Sequence, residues 1–278
     1  MKKSFLIFVA WIFSMHVFAQ ETPSPSENPS PSNQNNPPPK DRRAAKRERI
    51  NNLIKMEEEG DLIFHKHGLF GIKLATDGYG IFYERGKFQT VNRTFLLQFE
   101  LNEKKDPKDH KVATGYFNGY SFNSVVIGKL NNFYQFKVSA GHQFLIGGKG
   151  NKNGVAVSAL YTGGFSLGIL KPYLYDVSKP DGNVTRLKYP QIIDSGFTMG
   201  ITGASGFTVG WNQAQFKPGL NLKTALRFDY GRYNQSITAI ETGISLEYYF
   251  MEIPMMYLVP QKHLFFNAYV TIMFGRRK

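Results

Sequence analysis

Between Leu264 and Phe274 every even-numbered position is apolar, while Asn267, Tyr269 and Thr271 stand at odd positions between them. Alternation with a period of two predicts a β-strand with one apolar face. The run is eleven residues long, and a tilted strand crossing a bilayer needs about 9–11. Seven earlier segments repeat the pattern. Gly68–Thr76 puts Phe70, Ile72 and Leu74 on one face, and a tight turn at Thr76-Asp77-Gly78 leads into Tyr79–Lys87. A third strand sets Phe95, Leu97, Phe99 and Leu101 against Thr94, Gln98 and Glu100. A fourth sets Tyr134, Phe136, Val138 and Ala140 against Gln135, Lys137 and Ser139. The fifth, from Val155 to Phe165, opposes its apolar positions to Ser158 and Thr162. The sixth opposes Leu220, Leu222, Leu226, Phe228 and Tyr230 to Asn221, Lys223, Arg227 and Asp229. The seventh opposes Ile240, Ile244, Leu246, Tyr248 and Phe250 to Glu241, Ser245 and Glu247.

The connections alternate in length. Those near 88–92, 147–153 and 231–235 are short, and those near 103–131, 177–216 and 252–261 are long. Short turns at one end and long loops at the other, with the tight first hairpin at Asp77 the exception on the long-loop side, and an even strand count predict an eight-stranded antiparallel transmembrane β-barrel. A soluble β-sandwich is the competing all-β reading, but it calls for fewer strands with large aromatics on one face. Residues 196–202 and 206–211 also alternate. Each is short for a membrane crossing, so they are expected in an outer loop, with a ten-stranded barrel as the alternative.

On this register Lys73, Glu84, Glu100, Lys137, Lys223, Arg227, Asp229, Glu241 and Glu247 share the polar face. A charge on the lipid face costs about 2–4 kcal/mol near the midplane for Lys or Arg, so these nine are expected inside. An eight-stranded interior is just wide enough to be filled by its own side chains. Near-balanced charges there would pair and close the lumen. On the last strand Leu264, Phe266, Val270, Ile272 and Phe274 form the lipid-facing ending of an outer-membrane barrel, the expected insertion signal.

The first 60 residues read differently. Lys2 and Lys3, the apolar run Phe5–Phe13 and Val17-Phe18-Ala19 predict a secretory signal peptide over 1–19. Residues 20–40 are rich in Pro, Ser and Asn and form a linker that buries no core. Residues 41–60 read as a short charged helix or a flexible tail: Asp41 suits an N-cap, Gly60 a stop, and Ile50, Leu53 and Ile54 share a face. The barrel domain then occupies 61–278. Removing Lys2 and Lys3 leaves 32 Lys and Arg against 21 Asp and Glu. A strongly basic chain with a secretory signal points to envelope lipid or acidic protein and away from nucleic acid. The basic cluster Arg42, Arg43, Lys46, Arg47 and Arg49 is expected to bind a periplasmic partner or lipid headgroups, with a solvated tail as the bland reading. The chain has no cysteine, which excludes disulfides and thiolate metal sites. No apolar stretch of about 20 residues follows the signal, so helical spans are not expected.

Catalytic sets are sparse. His65 and His67 lie on one side of a strand but lack a third ligand, and a solvated strand start is the expected role. His142 falls on the apolar parity and suits the membrane interface. Ser139 and Ser158 point inward, with no histidine at matching height on this register, so a Ser-His-acid triad is not expected. Gly147–Gly150 precedes no helix and is no phosphate loop. No cofactor, metal or catalytic residue is therefore assigned.

Several blocks together resemble a family of Bacteroidetes outer-membrane barrels: LATDGYGIFYERG (Leu74–Gly86), IGKLNNFYQF (Ile127–Phe136), GGFSLGILKPYLY (Gly163–Tyr175), FKPGLNLKTALRFDYG (Phe216–Gly231), AIETGISLEYYF (Ala239–Phe250) and LFFNAYVTIMFGRR (Leu264–Arg277). The resemblance implies a barrel with no reaction attached and, in some members, an accessory place in outer-membrane assembly or secretion machinery. The basic Arg276-Arg277-Lys278 after the last aromatic departs from the usual ending. The resulting expectation is a non-enzymatic barrel in the outer membrane, its N-terminal extension in the periplasm, contacting membrane lipid, lipopolysaccharide and other envelope proteins. A narrow solute channel is the alternative, and a lipid-modifying enzyme the third reading.

Overall fold

The computed structural model describes residues 47, 48, 51, 64–117, 120–150, 154–179, 182–196, 200–231 and 236–278. The expected signal peptide, linker and most of the 41–60 segment lie outside the described residues.

The strands run, in chain order, β1 Lys66–Ala75, β2 Gly78–Phe88, β3 Arg93–Lys104, β4 Lys111–Phe117, β5 Tyr120–Val126, β6 Asn131–Gly147, β7 Ala156–Pro172, β8 Leu174–Ser178, β9 Val184–Lys188, β10 Ile201–Ala204, β11 Gln215–Asp229, β12 Ser236–Ile253 and β13 Lys262–Arg277. A short helix, α1, spans Tyr189–Ser195. Eight strands close in the order β1-β13-β12-β11-β7-β6-β3-β2, every pair antiparallel. Closure leaves no strand edge to template aggregation and satisfies the backbone without water, which lipid demands.

The barrel is inverted relative to a soluble protein. Phe70, Ile72 and Leu74 on β1 and Leu264, Phe266, Val270, Ile272 and Phe274 on β13 are exposed on the outer wall, while the intervening polar residues are buried. Such a wall suits hydrocarbon as its surroundings. The short turns between β2 and β3, β6 and β7, and β11 and β12 share an end with both chain termini of the barrel, the terminal end. The longer connections share the other, the loop end.

Eight strands, not ten, form the wall. Of residues 196–211, Ile201–Ala204 form β10, which pairs with β8 in a small β10-β8-β9 sheet at the loop end. A turn and a 3-10 helix at Trp211–Gln213 follow. β4 and β5 form a second loop sheet. The wall strands also run beyond the apolar alternation: β3 reaches Lys104, β7 reaches Pro172 and β12 reaches Ile253.

The two loop sheets are laced together. Asn123 Nδ2 and Thr114 Oγ1 both donate to the Thr202 carbonyl, at 3.2 Å. Val125, Tyr175, Val177 and Ile192 make an apolar core beneath them. The Tyr175 hydroxyl accepts from the Lys129 amide at 2.9 Å and donates to the Val126 carbonyl at 2.6 Å. Burial pushes that phenol's pKa up. The β12–β13 loop joins this cap through a bridge between Lys129 and Met256 and the Tyr257 amide bond to the Gly128 carbonyl at 2.7 Å.

Candidate functional site

The lumen is layered. At the loop end Phe133, Leu170, Tyr249 and Phe265 point inward and pack with Ile253, Met255, Met256 and Val126 into an apolar plug. Sequence reasoning missed this plug. Its signal was present as bulky residues on the polar parity, notably Phe133, Tyr249 and Phe265.

Below the plug lies a buried ion-pair layer. Glu100 accepts from Lys73 at 2.9 Å and Lys223 at 2.8 Å, with Lys137 3.9 Å away. Lys137 also pairs with Glu247, which Lys104 reaches at 2.7 Å. Lys104 extends to Asp77 at 2.5 Å. Lys223 lies 3.6 Å from Glu241, and the Arg227 guanidinium bonds Glu241 at 2.7 Å. Arg227 also bonds both oxygens of Glu84, at 2.7 and 2.6 Å. Five cations (Lys73, Lys104, Lys137, Lys223, Arg227) thus meet five carboxylates (Asp77, Glu84, Glu100, Glu241, Glu247) in one continuous network. Neutral donors fill the gaps: Gln98 bonds Glu84 at 2.5 Å, Gln135 bonds Glu247 at 2.8 Å and Tyr269 bonds Glu241 at 2.7 Å.

The structure brings eight of the nine charged residues expected inside into this network and adds Lys104 and Asp77. Of the four cations and five carboxylates expected inside, four of each enter the network, and the two additions make it five to five. Lys104 was missed because the sequence alternation fades before the wall ends. Asp229 is the ninth. It faces inward but stands apart, bonding Arg277 at 2.5 Å, Lys149 at 3.5 Å and the Gly231 amide at 2.8 Å.

At the terminal end the lumen widens into a cavity of about 180 Å³ lined by residues including His67, Thr94, Gln143, Ser158, Arg227 and Asp229. His67 corrects the sequence reading. It is not a solvated strand start but is buried, with Nε2 2.9 Å from Glu84 and Nδ1 without a hydrogen-bond partner among the described residues. Its ring lies over Gly86, where a β-carbon would strike it. Ser158 lines the same cavity, contrary to the expectation that no histidine shares its surroundings. No hydrogen bond joins the two among the described residues, so no nucleophile–base pair is formed. His142 lies on the outer wall as expected, within an aromatic group of Phe95, Phe144 and Tyr161.

Of the basic N-terminal cluster, Arg47 is an exposed helical residue. Arg42, Arg43, Lys46 and Arg49 lie outside the described residues. Among the described residues no group of His, Asp and Glu is arranged to hold a metal ion.

No protein-family model matches the chain, and no curated protein matches it. Among solved structures it is similar to Ail, the attachment invasion locus protein of Yersinia pestis, at 10% identity and a TM-score of 0.37, over 78% of this chain and all of Ail. It is also similar to Neisserial surface protein A, at 8% identity and a TM-score of 0.33, over 77% of this chain and 94% of that protein.

Proposed function

We propose that the chain is a non-enzymatic outer-membrane barrel serving as an accessory or structural subunit of a larger envelope complex concerned with outer-membrane protein assembly or secretion. The loop end faces outward, and the N-terminal extension with its basic cluster lies in the periplasm. The asymmetry of short turns and long loops supports this orientation.

The observation that carries the reading is the folded loop end. Loops that only shield a barrel need no sheet, core or cross-bracing, yet these have all three. They also display apolar side chains to solvent: Leu258 is 88% exposed, Phe207 65% and Val184 61%. Leu258 is held at φ 56°, a conformation costly for a bulky residue. Exposed apolar groups on a braced scaffold fit partner recognition. The filled lumen beneath fits a supporting role better than conduction.

The test is a mild-detergent pull-down of the tagged protein from outer membranes, with and without residues 21–60. Discrete stoichiometric partners, reduced by the deletion, are expected. A lone barrel in both forms would overturn the accessory reading. The cavity at the terminal end favours a second reading, a narrow channel for a small solute, and a steady bilayer conductance would support it.

A further inference from the structure

We propose that the outer wall at the seam where β13 closes on β1 binds the phosphate headgroup of an anionic phospholipid, gripped by Arg85, Arg276, Lys66 and Lys87. The proposal rests on the membrane-barrel reading above, with the terminal end in the phospholipid leaflet.

The register builds the site. Gly68 on β1 stands opposite Arg276 of β13 on one side and Arg85 of β2 on the other. The two arginines therefore flank a position with no side chain. One row nearer the terminus Lys66 stands opposite Lys87. All four cations are exposed, and none has an ion pair or side-chain hydrogen bond among the described residues. Like charges placed opposite each other on one sheet face repel. An anion bridging them removes that cost.

The row on the other side of Gly68 is aromatic. Phe70 stands opposite Phe274 and Tyr83, about 7 Å farther along the strand by its ordinary rise. The Tyr83 hydroxyl leans over the notch, 3.8 Å from where a β-carbon on Gly68 would sit. A phosphate in the notch would meet two planar guanidinium forks and a phenol donor, with acyl and glycerol carbons against the rings.

Among the described residues no acidic side chain offsets the charge: Glu84, Asp229 and Glu241, which lie at this end, all face the lumen. Around the rim, the sector carried by β3, β6 and β7 presents Phe95, His142, Phe144 and Tyr161, an interfacial aromatic belt. That sector also holds the exposed Arg93, whose guanidinium lies over the Phe144 ring, but four cations gather at the seam, which points to a discrete headgroup site rather than a diffuse attraction to the surface.

The experiment titrates the full-length protein in detergent with phosphatidylglycerol, phosphatidylcholine and lipid A, reading bound lipid by native mass spectrometry. Each basic residue near an anionic lipid contributes enough for a several-fold gain in binding. The parent is expected to retain phosphatidylglycerol at least tenfold over phosphatidylcholine, less so at high salt. The R85Q/R276Q variant is expected to lose that preference. K66Q/K87Q, which relieves the like-charge pair and so keeps the fold, should lose it in part. R186Q, at the loop end, should leave it unchanged. Equal retention of the two phospholipids, a preference for lipid A, or an unaltered R85Q/R276Q would overturn the proposal. A parent lacking heat-modifiable gel mobility would overturn the membrane-barrel reading itself.

Discussion

Arg227 on β11 and Glu84 on β2 bond across the full width of the barrel, for four strand positions separate β2 from β11 in either direction around the wall. The paired contact of 2.7 and 2.6 Å is a guanidinium–carboxylate fork. A second such span joins Lys104 on β3 to Glu247 on β12. These cross-lumen ties fix opposite walls at a set distance, which neighbouring-strand pairing alone does not do.

Breaking a hub of the network should destabilise the barrel strongly. Glu100 serves Lys73, Lys223 and Lys137, so Glu100→Gln takes from Lys73 its carboxylate partner, while Lys137 keeps Glu247 and Lys223 keeps Glu241. A loss of about 3–5 kcal/mol is expected, because a stranded buried charge keeps its desolvation cost. Urea titration of the protein folded in micelles measures it. A change below about 1 kcal/mol would show that the layer is hydrated and loosely coupled.

The packed plug and paired layer should hold the lumen shut. Parent protein in planar bilayers is expected to carry no steady current. Truncating Lys104, Lys137 and Glu247 together to Ala empties the layer next to the plug and should produce openings. Steady conductance in the parent that shifts with Lys223→Gln would instead favour the channel reading.

Gly86 has no side chain because the His67 ring covers it. Gly86→Ala should push the imidazole off Glu84 and cost about 1–3 kcal/mol, the usual penalty for overpacking. The His67 ring resonances, followed by NMR, should lose their dependence on Glu84→Gln.

Tyr175 ties the cap together, and its pH response has a definite sign. Below a pH of about 10, the ordinary phenol value, folded and unfolded states both hold the proton, and the contribution of Tyr175 is complete. Its folded pKa is raised by burial. As pH climbs past the unfolded value and toward the folded one, the unfolded cap loses its proton first and stability falls. Limited proteolysis should find the loops more sensitive above about pH 10. Tyr175→Phe should weaken the cap by about 1–3 kcal/mol and flatten that dependence.

Leu258→Gly separates display from folding. Gly adopts φ 56° without strain, so stability should stay within about 1 kcal/mol of the parent. Partner recovery in the pull-down should drop, and unchanged recovery would remove Leu258 from the partner surface.

The alternation of apolar and polar residues is local, so the sequence by itself determined the eight wall segments and the face their side chains take. The choice of eight over ten and the loop sheets β4-β5 and β10-β8-β9 were decided by the tertiary structure. Every one of the nine charges assigned to the interior by parity is buried there. Leu264, Phe266, Val270, Ile272 and Phe274 face outward for the same reason. What the sequence could not supply is which inward groups meet. Arg227 and Glu84 are 143 residues apart, and their contact depends on closure and stagger, properties of the whole sheet. The same limit hid the separation of Asp229 from the network. It also hid the cation quartet: Lys66, Arg85 and Lys87 meet across the β1–β2 hairpin, but Arg276 joins them only when β13 pairs with β1. Periodicity is written along one strand, whereas pairing across the lumen and around the seam exists only once the barrel is closed.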